Sequence, residues 1–111
     1  MNQESKNQCQ GLSHSVYFKL NDASEEKVVE LVSECHKYLK EHPGVVFFAA
    51  GKLSPEHNRE VNDRDFDVSI TIVFDNVKSQ NIYQTAPAHL EFIERNKDNW
   101  KQVRVFDSLV W

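Results

Sequence analysis

The segment NIYQTAPAHLEFI, residues 81–93, carries a phenol and an imidazole six positions apart, Tyr83 and His89. A neutral imidazole can take a proton from the carbon beside a carbonyl, and a tyrosine hydroxyl can donate to the oxyanion that develops. The pair therefore suits acid–base chemistry without a cofactor, provided that both groups reach one place. On a continuous helix they do not, because six steps of about 100° turn them roughly 240° apart. Pro87 lies between them. Proline fits the first turn of a helix, where its missing N–H is not needed, and it pushes the preceding Ala86 out of helical geometry. The segment thus predicts one helix from about 77 to Thr85 and a second from 87 to about 97. The break frees Tyr83 and His89 from the 240° relation. His89 then shares an inward stripe with Phe92 and Ile93, and its place in the first turn disfavours the imidazolium through the helix dipole.

The rest of the chain supplies the frame. HSVYFKL (14–20) alternates, with His14, Val16, Phe18 and Leu20 on one face, and reads as a strand. A helix follows, with Val28, Leu31, Val32, Cys35 and Leu39 at helical spacing. Asp22 with Glu25 resembles a capping box, Ser24 is a rival N-cap, and Pro43 and Gly44 stop the helix. VVFFAAGKL (45–53) is apolar on both faces, as in a covered strand. Residues 54–65 form a charged loop, FDVSITIVF (66–74) alternates cleanly, and KQVRVFDSLVW (101–111) is the last strand. The order β-α-β-β-α-β predicts an α+β, ferredoxin-like plait with an antiparallel four-stranded sheet. Residues 1–11 read as a flexible N-terminal tail and 12–111 as a single domain. Helices cover one sheet face. The other, with Tyr17, Lys19, Asp67, Ser69 and Thr71, is half apolar and predicts a homodimer through that open face.

Composition narrows the partners. With 13 basic against 17 acidic residues the net charge is −4, and the scattered cations predict no nucleic-acid surface and no attachment to anionic membranes. No apolar run approaches a membrane span of about 18 residues. The polar start lacks a signal-peptide pattern, and Cys9 and Cys35 do not suggest a disulfide, so a cytoplasmic location is expected. His36, His42 and His57 are too dispersed for a recognised metal site. Asp63, Asp65 and Asp67 read as solvated charge rather than a cation site. No cofactor is expected, and Cys35 reads as core.

HSVYFKL, PGVVFFAAG, FDVSITIVF, YQTAPAH and VRVFD, in this order and spacing, resemble the stress-responsive A/B barrel domain (Dabb) family over about residues 13–108. The resemblance implies a ferredoxin-like chain that pairs into a dimeric α+β barrel, in a family whose members mostly have no assigned reaction. One plant member closes a polyketide ring by an aldol condensation without metal or organic cofactor. It uses a histidine on the first strand with a tyrosine and a histidine flanking the broken helix, and by position these resemble His14, Tyr83 and His89. That cyclase has a further histidine before the proline, where this chain has Ala86.

Three functions follow. The first is a small-molecule pocket between sheet and helices, taking a carbonyl or aromatic ligand and lined by His14, Tyr83 and His89, with the cyclase-like reaction that the resemblance implies as its enzymatic form. The second is a non-catalytic stress or assembly module, in which Tyr83 and His89 hydrogen-bond each other and merely fix the helix break. The third, by fold analogy, is a cofactor-free monooxygenase.

Overall fold

Strict alternation in two strands sets up the architecture. A computed structural model describes residues 10–111 of the chain. In β1 (Gly11–Leu20), Leu12, His14, Val16, Phe18 and Leu20 are buried and the residues between them are not. In β3 (Val68–Phe74), Val68, Ile70, Ile72 and Phe74 are buried in the same way. The two strands pair antiparallel at the centre of the sheet, with His14 opposite Ile72 and Val16 opposite Ile70. Each fully buried aliphatic side chain contributes roughly 1.5–3 kcal/mol, so these two rows carry much of the stability. β1 begins at Gly11, so the end of the expected tail belongs to the sheet; residues 1–9, including Cys9, lie outside the described residues. A side chain at Gly11 would sit 2.7 Å from the Phe74 carbonyl, which explains the glycine.

The helix α1 (Glu25–Leu39) starts at Ser24, whose hydroxyl accepts from the Lys27 N–H; Asp22 instead accepts from the Ser24 N–H. It buries Val28, Leu31, Cys35 and Leu39 against the sheet. Gly44, with φ +89°, turns the chain into β2 (Val45–Lys52). After β3 come α2 (Val77–Gln84) and α3 (Pro87–Asn96), a short 3-10 turn, and β4 (Trp100–Val110). The strand order is β2-β3-β1-β4, with every neighbouring pair antiparallel. This is the ferredoxin-like plait that the element order implied.

β2 differs from its expected covered position. It forms one edge of the sheet, and Val46 and Phe47 are exposed. Val45, Phe48 and Ala50 pack against the core on the helix side, whereas Val46 and Phe47 have no cover within one chain. β4 forms the other edge. Val103, Val105 and Asp107 pair with Phe18, Val16 and His14 and so face the helices, yet Val103 and Val105 remain 40% and 49% exposed. Among the described residues no helix is long and apolar enough to cross a membrane.

Candidate functional site

The helix breaks where Pro87 requires it. Thr85 caps α2, its N–H donating to the Ile82 carbonyl and the Ala86 N–H to that of Tyr83; Ala86 is extended at φ −65° and ψ 143°; and Pro87 opens α3. The break leaves the last carbonyls of α2 without helical partners. His89 uses one of them: its Nδ1 lies 2.9 Å from the Gln84 carbonyl oxygen. That oxygen can only accept, so Nδ1 carries the proton and Nε2 is left as a bare acceptor. Burial, reinforced by the charges of His14 and His42, holds the His89 pKa below its usual 6.5, although the Gln84 bond opposes the shift. His89 is neutral at pH 7.

His14 comes from the middle of β1 and is 5% exposed. Its Nδ1 lies 2.6 Å from Oδ1 of Asp107, its cross-strand partner on β4. The carboxylate oxygen accepts, so Nδ1 of His14 carries a proton and Nε2 is the nitrogen turned to other partners, and Asp107 is placed to stabilise the imidazolium formed when that nitrogen takes a proton. Between the two histidines stands Tyr83, 2% exposed. Its ring centroid lies 5.9 Å from that of His14 and 4.6 Å from that of His89. Burial raises the phenol well above its usual value, so Tyr83 remains a hydroxyl and a donor.

The structure therefore brings His14, Tyr83 and His89 to the wall of one cavity of about 360 Å³ between the sheet and the helices. Tyr83 and His89 do not hydrogen-bond each other: His89 is tied to Gln84, and the Tyr83 hydroxyl has no hydrogen-bond partner among the described residues. The rest of the cavity wall is largely apolar, with Phe18, Phe92, Val103 and Val105 among the contributors, and it opens beside β4.

Two neighbours were missed. Asp107 lies 93 positions from His14, and only the β1–β4 register joins them; a carboxylate on the helix-side row of a terminal strand was the available signal. His42, set aside with His36 and His57, packs edge-on against Tyr83 with centroids 5.3 Å apart at 88°, and its Nδ1 bonds the Pro43 carbonyl. No residue pattern announced that contact. Cys35 is fully buried, and burial pushes its thiol up to about 12, as befits an inert core residue. The three aspartates do not converge. Asp63 binds Arg104 at 2.8 Å, Asp65 lies 3.5 Å from Lys19, and Asp67 accepts from the Leu20 N–H. Among the described residues, no three His, Cys, Asp or Glu side chains are arranged to hold a metal.

The pattern of the stress responsive A/B barrel domain matches residues 12–110. The chain belongs to this family. No curated protein matches it. Among solved structures, the Dabb chain is similar to a Dabb family protein with a ferredoxin-like fold from Mesorhizobium loti, at 20% identity and TM-score 0.74, covering 92% of this chain and 98% of that one. A dimeric ferredoxin-like protein of unknown function from Thermobifida fusca gives 16% identity and TM-score 0.74, covering 93% of each chain. The hydroxynitrile lyase of Passiflora edulis gives 15% identity and TM-score 0.73, covering 93% of this chain and 95% of that one. At these identities the likeness concerns the fold. The same fold is found in a neighbour named as an enzyme and in one of unknown function.

Proposed function

We propose that this Dabb protein binds a small carbonyl compound in the sheet–helix cavity and moves a proton on it by cofactor-free general acid–base chemistry. One observation carries the reading. Two imidazoles each have Nδ1–H fixed by an acceptor, and a partnerless phenol hydroxyl stands between them at the cavity wall. A purely structural cluster would satisfy its buried hydroxyl. In this reading His14 is the base, backed by Asp107. Tyr83 donates to the developing enolate oxygen, and neutral His89 accepts a hydrogen bond from the substrate. Such proton transfer is the first step of an aldol closure, which keeps the cyclase-like reaction as one form of this activity. Cleavage of a cyanohydrin, the chemistry named for the Passiflora neighbour, needs the same base and donor.

The test is α-proton exchange of small ketones in heavy water, followed by proton NMR. The parent should exchange the α-protons faster than buffer. His14→Gln and Tyr83→Phe should each lose roughly 10²- to 10³-fold of that acceleration. Exchange no faster than buffer, or equal rates in all three proteins, would sink the proposal and favour the structural module.

A second reading concerns assembly. The open face carries Tyr17, Phe66 and Phe106 as a ring cluster, with Tyr17 centroids 4.9 and 5.8 Å from the other two, and Phe106 is 54% exposed. We propose that two copies meet through this face, which agrees with the dimeric description of the Thermobifida neighbour. Light scattering at micromolar concentration should give twice the chain mass, and a monomer would refute it.

A further inference from the structure

We infer that the sheet–helix cavity selects uncharged carbonyl compounds and rejects carboxylates, phosphate esters and cationic ligands alike. The inference rests on the carbonyl-binding reading and adds the charge class of the ligand. Among the described residues, no lysine or arginine lines the cavity; its one carboxylic wall group is Asp107. Its side chain is 47% exposed against 7% for His14, so the negative charge sits at the mouth and meets an incoming ligand first. His89 is neutral and supplies no countercharge.

The nearby cations are held elsewhere. Arg95, on the same helix as His89, binds Glu34 at 2.8 Å. Lys97, which follows that helix, binds Glu94 at 3.0 Å. Arg104 projects to the opposite face of the sheet and binds Asp63. The N-terminus of α3 would ordinarily attract an anion. Here its first residue is Pro87, which has no N–H and so removes one of the donors an anion would use. An anion entering this cavity would lose its water, gain no partner of opposite sign and pass a carboxylate. A cation fares little better. Asp107 could attract it, but that oxygen already holds the His14 Nδ1–H at 2.6 Å, and drawing it away would release the base. The remaining wall residues carry no charge. At about 360 Å³ the cavity is also at the small end of the roughly 300–1,000 Å³ typical of ligand sites, so the ligand is compact.

Isothermal titration of the full chain with two isosteric pairs of aryl methyl ketones tests this. One pair is 4-acetylbenzamide and 4-acetylbenzoate. The other is 4-tert-butylacetophenone and its 4-trimethylammonium counterpart. In each pair the neutral ketone should bind at least tenfold more tightly than the charged one. Asp107→Asn should narrow the gap of the first pair by at least threefold. Equal binding within either pair overturns the inference while leaving the carbonyl site intact. An unchanged first gap in folded Asp107→Asn overturns the role given to that carboxylate. Silence from all four compounds sinks the carbonyl-binding reading itself, and the inference with it.

Discussion

The two faces of the one sheet are built from the same strands and do opposite things with their polar groups. On the open face, the pocket under the 54–66 loop is the larger, about 500 Å³, yet its charged and imidazole side chains are already matched: Arg104 with Asp63, and His57 with Ser54 at 2.6 Å. On the helix face the cavity is smaller, but the Tyr83 hydroxyl and the Nε2 atoms of His14 and His89 at its wall have no hydrogen-bond partner among the described residues, and Trp100 Nε1 is buried without one. The lesson is that open hydrogen-bonding capacity does not follow volume. A group whose hydrogen bonds are complete has little left to offer a ligand, and a half-satisfied group held rigid by its neighbours is ready to act.

The contrast can be broken most forcefully by truncating a ring on each face. Phe92 is 2% exposed, and Phe92→Ala should cost about 3–5 kcal/mol in urea denaturation. Phe47, on the open face and 54% exposed, should cost under about 0.5 kcal/mol when truncated in a monomer. A large loss at Phe47 would mean that a second copy covers it. Next in size, Phe106→Asp should weaken self-association by about 2–4 kcal/mol if the open face is a dimer interface, read as a shift toward half mass on dilution. An unchanged mass would move the interface elsewhere.

Mild acid should act through His89 on the helix face, and more gently. Because folding lowers the His89 pKa, the unfolded chain takes up the proton first. The stability this group contributes is full above about pH 6.5 and is lost as the pH falls toward its folded value. The melting temperature should therefore drop between pH 7 and 5.5 by more in the parent than in His89→Gln, and parallel curves would contradict the assignment. The smallest effect is expected at Tyr83→Phe. The hydroxyl has no partner to lose, so stability should change by no more than about 0.5 kcal/mol while α-proton exchange collapses. A loss above 1 kcal/mol would place Tyr83 among the structural residues.

Much of the frame was legible because it rests on local physics. Alternation exposed β1 and β3, the position of Pro87 placed the helix break, and both depend on residues a few positions apart. The site was legible only in part. That His14, Tyr83 and His89 could share a wall followed from which face each occupies. Their partners did not follow. Gln84 as the acceptor for His89 depends on the angle between two short helices, and Asp107 depends on the register of strands far apart in the chain. The edge position of β2 was misread for a related reason: an apolar edge that a second molecule could cover has the same composition as a covered central strand.

The bond between His14 and Asp107 also constrains how this chain can be inherited. Side chains alternate along a strand, so one residue inserted between Val103 and Asp107 would bring Phe106 opposite His14 and turn the carboxylate to the other side of the sheet. An insertion nearer Trp100 is a lesser matter, because the pairing already slips between Lys19 and Leu20 and has slack to absorb it. Descendants of this chain can therefore exchange residues along β4 one by one and recover, but its length between those two positions is fixed for as long as the histidine needs its carboxylate.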